Sequence, residues 1–319
     1  MIRVNNGKED KTFPSRVETQ VVSSRPTSTT EVMTFLEDDP KWTLEEIVLP
    51  NEIRETIEEV ILFCQKRDIL VNQWNLNQFL KAGQSIGVNL YGEPGTGKSI
   101  TADAIAKALG KKILRMDYSE IQDSKWGGTE KKLSALFKQA EDNDSVIFID
   151  EADGLLGKRT SSGANSEVYN EMKSHLLTLI DKSNAVIIYA TNIFKNYDRA
   201  FFRRILYHVH IPLPNTEQRI ALWKFHLNES IPRAAAFSFE RAAELSEGLS
   251  GGDIKNITLK LCIKLASEHI SEITIDALTK EIEKYKTSLK DIGSITGDIV
   301  AEEINESELP KNVKEEFLK

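Results

Sequence analysis

The sequence lacks the features that would place it among secreted, disulfide-bonded or membrane proteins. It has only two cysteines in 319 residues, Cys64 and Cys262. Both fall within helical apolar patterns, so we expect buried free thiols in a reducing compartment. No apolar run approaches the length that crosses a membrane, and the polar N-terminus has no signal-peptide core. These absences predict a cytoplasmic protein with no membrane partner.

An excess of positive charge is also missing. The formal net charge is −8 at pH 7, which argues against bulk electrostatic binding of nucleic acid, although the sum would hide a local basic patch. What is present is an ordinary soluble composition, with 40% hydrophobic and 28% charged residues. The chain is long enough for two domains with a substantial core.

The pattern along the chain predicts four segments. Residues 1–38 are rich in serine, threonine and charge and predict a flexible N-terminal tail, with a partner-docking arm as the alternative. Residues 39–213 alternate strand-like and helical patterns, which predicts a large α/β domain. Strand-like runs then stop, so that 214–290 predict a small all-helical domain and 291–319 an acidic C-terminal tail.

The large domain is predicted to hold a doubly wound parallel sheet with helices on both faces. Apolar strand-like runs alternate there with helical patterns, and such alternation is typical of parallel sheets with crossover helices. The predicted strands are 86–92, 112–118, 145–150, 184–192 and 207–214.

A glycine-rich turn, GEPGTGKS at 92–99, follows the first of these strands and precedes a helix. It fits the pattern G-x-x-x-x-G-K-[ST], in which glycines let backbone N–H groups surround phosphate oxygens at the positive end of a helix. Lys98 would reach the β- and γ-phosphates, and the Ser99 hydroxyl would bind Mg²⁺. The alternative is a chance glycine-rich turn, which the strand and helix on either side disfavour.

Polar residues end two further predicted strands. Asp150 and Glu151 follow the apolar run SVIFI, and Asn192 ends YATN. Ligands bind at the carboxyl ends of strands in open parallel sheets, so Asp150 suits the Mg²⁺ shell and Glu151 is placed to polarise an attacking water. Asn192 can orient that water without adding charge. The alternatives are a solvated acidic strand end and an ordinary turn residue.

Together these motifs resemble the AAA clade of the AAA+ ATPases, in order from Trp42 to Tyr285. GEPGTGKS resembles the Walker A motif, VIFIDEAD the Walker B, and YATN sensor 1. AFFRRILYHVHIPLP resembles the end of the second region of homology, and EGLSGGDIKNI the sensor 2 segment. The resemblance implies a P-loop AAA+ domain followed by a helical lid domain, with ATP and Mg²⁺ as ligands.

The resemblance also implies roles for single residues. Arg203 and Arg204 resemble the arginine fingers that reach the nucleotide of a neighbouring subunit, which implies a hexameric ring; the alternative is a solvated arginine pair on a helix end. His226 resembles a contact from the lid to the nucleotide, although it equally fits a core histidine. The implied nucleotide-binding residues are Gly92, Glu93, Pro94, Gly95, Thr96, Gly97, Lys98, Ser99, Ile100, Ile47, Val48, His226, Gly251 and Gly252.

The chain departs from the family pattern at several positions. Glu93 and Ser99 replace the more usual proline and threonine, and Gly252 stands where alanine is usual. YDRAFFRR lacks the common Asp-Pro before the arginines. These departures leave the ATPase interpretation in place and put the subgroup in doubt.

An exposed tryptophan is predicted in SKWGGTEKKLSALF, which resembles the first pore loop of AAA translocases. In a ring, six copies of Trp126 would line a channel and clamp an extended peptide between flat aromatic side chains. Lys125 would add charge attraction, and Gly127 would allow the loop to move. The alternative is a core tryptophan, which the polar and glycine neighbours disfavour.

These features favour an ATP-driven protein remodeller, or unfoldase, that pulls a partner polypeptide through a central pore. The opening Ser-Lys-Trp is also found in remodellers of HORMA-domain proteins, so a HORMA-like partner in a bacterial antiphage system is the specific hypothesis. The alternatives are an AAA+ ATPase acting on nucleic acid, a microtubule-severing or complex-disassembling AAA protein, a poorly hydrolysing scaffold and, least favoured, a small-molecule kinase.

Overall fold

The structure is a computed structural model. It describes residues 17–18, 34–76, 85–117, 128–157, 166–192 and 197–296. In these ranges no helix has both the length and the apolar character that crossing a membrane requires.

Eight strands and ten α-helices lie in the described residues, together with a π-helical turn at Ile69–Gln73 that follows the first helix. The strands are β1 Val17–Glu18, β2 Thr34–Phe35, β3 Glu37–Asp38, β4 Ile86–Tyr91, β5 Ile113–Asp117, β6 Val146–Asp150, β7 Val186–Thr191 and β8 Ile205–His210. The helices are α1 Asn51–Asp68, α2 Lys98–Ala108, α3 Gly128–Asp142, α4 Asp153–Leu156, α5 Ser166–Lys182, α6 Arg199–Phe202, α7 Thr216–His226, α8 Phe239–Leu245, α9 Gly251–Ala266 and α10 Ile275–Thr296.

The main sheet has six strands in the order β3-β5-β6-β7-β4-β8. Every pairing is parallel except that of β3, which runs antiparallel to β5 at one edge. The predicted parallel α/β sheet is therefore confirmed. Because β6, β7 and β4 are neighbours and run in the same direction, their carboxyl ends lie side by side, which positions the candidate site.

The core consists of two apolar clusters, each of which joins one set of helices to the strands. One cluster contains Leu136 of α3, Leu176 of α5 and Ile149 of β6. The other contains Ile105 of α2 and Phe148 of β6. Neighbouring residues of β6 enter different clusters because side chains alternate across a strand, so helices cover both faces of the sheet as predicted.

The strand assignments differ from the sequence-based ones at 207–214 and within the predicted tail 1–38, where β1 and β2 pair antiparallel. The strand predicted at 207–214 is observed at Ile205–His210, and the prolines at 212 and 214 lack the N–H group that a ladder needs. Glu37–Asp38, which fall within the predicted tail, form the antiparallel edge of the sheet.

Two compact units make up the chain. The first comprises Met1–Leu222 and Gly248–Asp253, and the second Trp223–Glu247 and Ile254–Lys319. The described helices of the second unit are the end of α7, all of α8, most of α9 and all of α10. This helical content agrees with the predicted helical part of the fold. The division falls inside α7, whereas the sequence pattern changes at 213–214; the predicted extents of the domains and tails stay predictions.

Two buried side chains of the second unit, Trp223 and Glu281, have polar partners. Trp223 is fully buried and its indole N–H donates to the Ser246 hydroxyl at 2.9 Å. Glu281 is buried on α10 and pairs with Lys264 of α9. Cys64 in the first unit and Cys262 in the second are free and half-buried, and burial raises the pKa of the Cys64 thiol to about 11.

Candidate active site

The glycine-rich loop between β4 and α2 has a backbone that only glycine adopts without strain. Gly92, Gly95 and Gly97 have φ angles of 151°, 76° and 106°. A Cβ on Gly92 would lie 2.1 Å from the carbonyl oxygen of Ile211, and one on Gly95 would lie 2.5 Å from the Ser250 hydroxyl oxygen. The loop therefore has both the conformation and the close packing of a phosphate cradle.

Lys98 is buried beneath this loop, with 8% of its surface exposed. Its Nζ donates to the carbonyl oxygens of Gly92 at 2.9 Å and Glu93 at 3.0 Å. Burial lowers the pKa of Lys98, and the charges of Asp150, Asp153 and Glu93 oppose that effect. The Lys98 ammonium is thus held against the loop at the N-terminus of α2, the end of a helix that favours anions.

The outer part of the loop is open to solvent. Glu93, Pro94, Gly95 and Ser99 are exposed, and the Thr96 hydroxyl donates to the Glu93 carbonyl oxygen at 2.9 Å. Half-buried positions in this stretch are Thr96, Gly97 and Ile100. A ligand with phosphate groups could therefore reach the loop amides.

Ser99 and Asp150 meet across the ends of α2 and β6. The Ser99 hydroxyl donates to Asp150 Oδ2 at 3.3 Å, and the other carboxylate oxygen accepts from the Glu151 N–H at 2.9 Å. A hydroxyl and a carboxylate are hard oxygen ligands of the kind that Mg²⁺ takes in proteins, together with waters and substrate phosphates. The Ser99 hydroxyl and the Asp150 carboxylate therefore fit a Mg²⁺ site that is completed by waters and a substrate phosphate.

Glu151 and Asn192 complete the edge of the sheet. Glu151 is exposed and has a φ of 50°, a left-handed conformation that is uncommon outside glycine and costs free energy. Asn192 follows β7, and its backbone N–H donates to Asp153 Oδ2 at 3.2 Å. The structure therefore brings Lys98, Asp150, Glu151 and Asn192 to the ends of three adjacent strands and the helix that follows one of them.

The start of α9 also contacts the glycine-rich loop. The Gly252 N–H donates to the Gly95 carbonyl oxygen at 2.9 Å, and a Cβ on Gly252 would lie 3.1 Å from Gly95 Cα. A Cβ on Gly251 would keep ordinary contact distance, 3.6 Å, from the same carbonyl oxygen. Gly252 therefore packs against the glycine-rich loop, and a larger residue at this position would crowd Gly95.

The other predicted nucleotide contacts are less directly tied to the loop. Ile47 is buried in the same apolar cluster as Val88 and Leu90 of β4, and Val48 is half-buried. His226 lies at the end of α7 in the second unit, where burial lowers its pKa. The predicted roles of Ile47, Val48 and His226 at the nucleotide stay predictions.

The two arginines differ in their surroundings. The Arg204 guanidinium forms a two-point ion pair with Asp181, with Nε–Oδ1 at 2.7 Å and Nη2–Oδ2 at 2.8 Å, and also donates to the Ala200 carbonyl oxygen at 3.0 Å. The hydrogen bonds to Asp181 raise the pKa of Arg204. Arg203, in contrast, is exposed. The two adjacent arginines therefore differ in their surroundings.

Lys125, Trp126 and Gly127 lie outside the described residues. Directly after them, α3 begins at Gly128.

Several residues at the site were not found from the sequence. Asp153 contacts the Asn192 backbone, and Asp181 holds Arg204. Asn89, Thr191 and Tyr197 form hydrogen bonds with one another inside the sheet. The one signal available was the asparagine within the apolar strand IGVNLY.

Comparison with known proteins identifies the family. The family model described as "ATPase family associated with various cellular activities (AAA)" matches residues 88–213. The outer mitochondrial transmembrane helix translocase of Danio rerio is 32% identical over 258 residues, which cover 75% of this chain and 68% of the translocase. The chain belongs to the AAA family of ATPases. This membership indicates nucleotide binding and ATP hydrolysis.

Other AAA relatives match over shorter parts. The 26S proteasome subunit RPT4 of Saccharomyces cerevisiae is 31% identical over 66% of this chain and 49% of its own length. The vacuolar protein sorting-associated protein 4 of Dictyostelium discoideum is 33% identical over 54% of this chain and 39% of its own length. The AAA chain thus spans half or less of these two relatives.

Proposed function

We propose that this AAA protein is an ATP-driven protein remodeller that works as a hexameric ring and pulls a partner polypeptide through a central pore. The observation that carries the proposal is the contrast between a complete set of phosphate-site residues at one sheet edge and an exposed Arg203. Such a set supplies most of what hydrolysis needs, and an exposed arginine can supply the rest to a neighbouring copy.

Within one chain, each residue has a separate task. The loop amides and Lys98 would hold the phosphates, and Ser99 with Asp150 would hold Mg²⁺, which neutralises charge on the phosphates when it is bound. Glu151 would take a proton from the attacking water, and Asn192 would orient that water. Because Glu151 is exposed and follows directly on Asp150, it can face a water at the strand ends.

Between chains, Arg203 would act on the site of the next copy. The guanidinium must reach across the interface between two subunits, so the task needs an arginine that is exposed on its own subunit. Arg203 is the exposed one of the pair. Arg204 would instead fix the segment, since both of its carboxylate contacts are to Asp181 of its own chain. Arginine fingers contribute about 10³–10⁵ to the rate.

The pulling element would be the loop that carries Lys125, Trp126 and Gly127, directly before α3. The names of two relatives are compatible with work on proteins: one is a transmembrane helix translocase and another a proteasome subunit. The specific partner we propose is a HORMA-like protein of a bacterial antiphage system. Its support is the Ser-Lys-Trp opening at 124–126.

The test is a mixture of two inactive chains. Lys98→Ala removes hydrolysis from a chain's own site and leaves its Arg203, whereas Arg203→Ala leaves the site and removes the finger. Each chain alone should turn over ATP at background rate. The mixture should recover a part of the wild-type turnover, because an interface between the two variants can combine the intact phosphate site of one chain with the Arg203 of the other. A mixture no more active than the sum of the separate chains would contradict a finger that acts between copies.

The partner can be tested with the Glu151→Gln chain, which should bind ATP without hydrolysing it. In ATP this chain should capture a purified HORMA-like protein, and the Glu151→Gln/Trp126→Ala chain should not. Equal capture by both chains would remove the pore loop from the proposal.

A further inference from the structure

Three polar side chains meet at the carboxyl end of β7, the strand that directly precedes Asn192. Asn89 of β4 has no exposed surface, Thr191 of β7 has 1%, and Tyr197 is half-buried. Asn89 lies in the middle of its strand, where a leucine would fill the same space without any hydrogen-bonding requirement. Burying polar groups here costs free energy unless every one is satisfied.

The three side chains satisfy one another in a closed ring. The Asn89 amide nitrogen donates to the Tyr197 hydroxyl at 3.1 Å, the Tyr197 and Thr191 hydroxyls are 2.6 Å apart, and the Thr191 hydroxyl donates to Asn89 Oδ1 at 3.4 Å. With Tyr197 donating to Thr191, each group donates once and accepts once around the ring. We call these residues the hydroxyl ring. Burial raises the pKa of Tyr197, so the phenol stays protonated and keeps its donor.

Tyr197 also begins the segment that carries the arginines. It forms a β-bridge with Gly157, and the N–H of Asp198 donates to the Leu156 carbonyl oxygen at 2.8 Å. The Asp198 carboxylate then caps α6 by accepting from the Ala200 N–H at 2.9 Å. The four-residue α6 Arg199–Phe202 ends immediately before Arg203.

The other side of the hydroxyl ring belongs to the candidate active site. Thr191 is the last residue of β7 and directly precedes Asn192, and Asn89 is two residues before the end of β4, from which the glycine-rich loop departs. The ring therefore ties the start of the arginine segment to the two strands that present the phosphate loop and Asn192.

We propose that Tyr197 is a positioning residue, whose hydroxyl sets the place from which Arg203 is presented to the neighbouring copy by fixing α6 to β4 and β7. This inference rests on the proposed function, because it assumes that Arg203 acts across a seam. A displacement of about 1 Å in a catalytic group can cost up to about 10²-fold in rate, so a single hydroxyl at the start of the segment has a measurable effect.

The experiment places Tyr197→Phe in one chain of the two-chain mixture at a time. The donor chain carries Lys98→Ala and supplies the finger, and the acceptor chain carries Arg203→Ala and supplies the site. Tyr197→Phe in the donor should lower kcat of the mixture about tenfold with the KM for ATP unchanged, and the loss should be at least about fivefold larger than with Tyr197→Phe in the acceptor. Thr191→Val in the donor should have the same effect, since it breaks the same ring.

Tyr189→Phe in the donor is the matched control. Tyr189 is fully buried on β7, and its hydroxyl has no hydrogen-bond partner among the described residues, so losing that hydroxyl should leave kcat unchanged. Equal losses from Tyr197→Phe in the two chains, a rise in KM instead of a fall in kcat, or no loss in the donor would each overturn the role of Tyr197 alone. If the mixture were already inactive without Tyr197→Phe, the result would instead contradict the proposal that Arg203 acts on the neighbouring copy, and this inference with it.

Discussion

The Arg204 guanidinium is joined to the Asp181 carboxylate by two hydrogen bonds of 2.7 and 2.8 Å. The pair connects the end of the α6 segment to the last turn of α5. Paired, planar contacts of this kind hold an arginine in one orientation. Its neighbour Arg203 is exposed, so the two arginines should respond differently to substitution.

Arg203→Ala should reduce kcat by roughly 10³ without changing the melting temperature, because its side chain is exposed. Arg204→Ala should lower the melting temperature, because it removes the pair with Asp181, and Asp181→Asn should lower it too. Thermal unfolding and steady-state ATPase assays on the three variants separate these effects. If Arg203→Ala lowered the melting temperature and Arg204→Ala did not, the structural assignment of the two residues would be reversed.

Gly95→Ala should weaken ATP binding about tenfold or more, because the added Cβ would lie 2.5 Å from the Ser250 hydroxyl oxygen and the loop would have to move. Gly110→Ala is the control. It has a comparable left-handed φ, 68° against 76°, but nothing within 4 Å of the added Cβ. It should lower stability and leave the Kd for ATP unchanged. Equal Kd values for the two variants in a fluorescent-nucleotide titration would show that the crowding at Gly95 has no role.

Lys98→Ala should abolish hydrolysis, with a loss in kcat of about 10²-fold or more, because Lys98 is the buried cation beneath the phosphate loop. Lys107→Ala on the same helix is the matched control. Lys107 is exposed and donates to the Lys41 carbonyl oxygen at 3.1 Å. Phosphate release measured on both variants should separate them; comparable activity would remove Lys98 from the site.

Trp126→Ala should keep basal ATPase activity and lose unfolding of the protein that the Glu151→Gln chain captures. The proposed grip needs a flat aromatic side chain but takes no part in hydrolysis. Trp74→Ala is the control, because Trp74 is 66% exposed and belongs to no proposed site. Unfolding is followed by loss of partner fluorescence, and normal unfolding by the Trp126→Ala chain would contradict the pore model.

Acid should destabilise the protein through His226. Burial, with a smaller contribution from Lys255, lowers the pKa of His226 below the ordinary value of 6.5. Between that value and the folded pKa the unfolded chain binds the proton and the folded chain does not, so the free energy of unfolding falls as the pH falls, by at most about 1.4 kcal/mol per pH unit. Urea unfolding at pH 7.5 and 5.5 should show a smaller fall for His226→Gln than for the wild type. His269→Gln, at an exposed site of the same unit, is the control and should behave as the wild type. If His226→Gln lost as much unfolding free energy as the wild type between pH 7.5 and 5.5, His226 would be excluded as a source of the acid sensitivity.

The sequence was sufficient for the features that depend on neighbouring residues. The phosphate loop is encoded in eight consecutive residues, 92–99, whose glycines are needed for left-handed angles. The capping pair at the start of α7 is equally local, because Asn215 and Gln218, three residues apart, exchange two hydrogen bonds of 2.9 Å. Local chemistry of this kind leaves a local pattern.

Features that depend on distant residues left little or no pattern. Asp181 and Arg204 are 23 positions apart, and Asn89 and Tyr197 are 108 apart, so neither contact follows from spacing. The two-residue strand at Glu37–Asp38 is too short to show alternation. Its position follows from pairing with β5, and next to it Phe35 exchanges two hydrogen bonds of 2.8 Å with Gln139 of α3.

The central claim is that hydrolysis and pulling need several copies of this chain around a pore. The most direct test is the mass of the Glu151→Gln chain in ATP and Mg²⁺, measured by sedimentation or mass photometry. The account predicts a species of six chains that disperses when ATP is replaced by buffer. A single-chain mass in ATP, at concentrations where the wild type hydrolyses ATP, would contradict it.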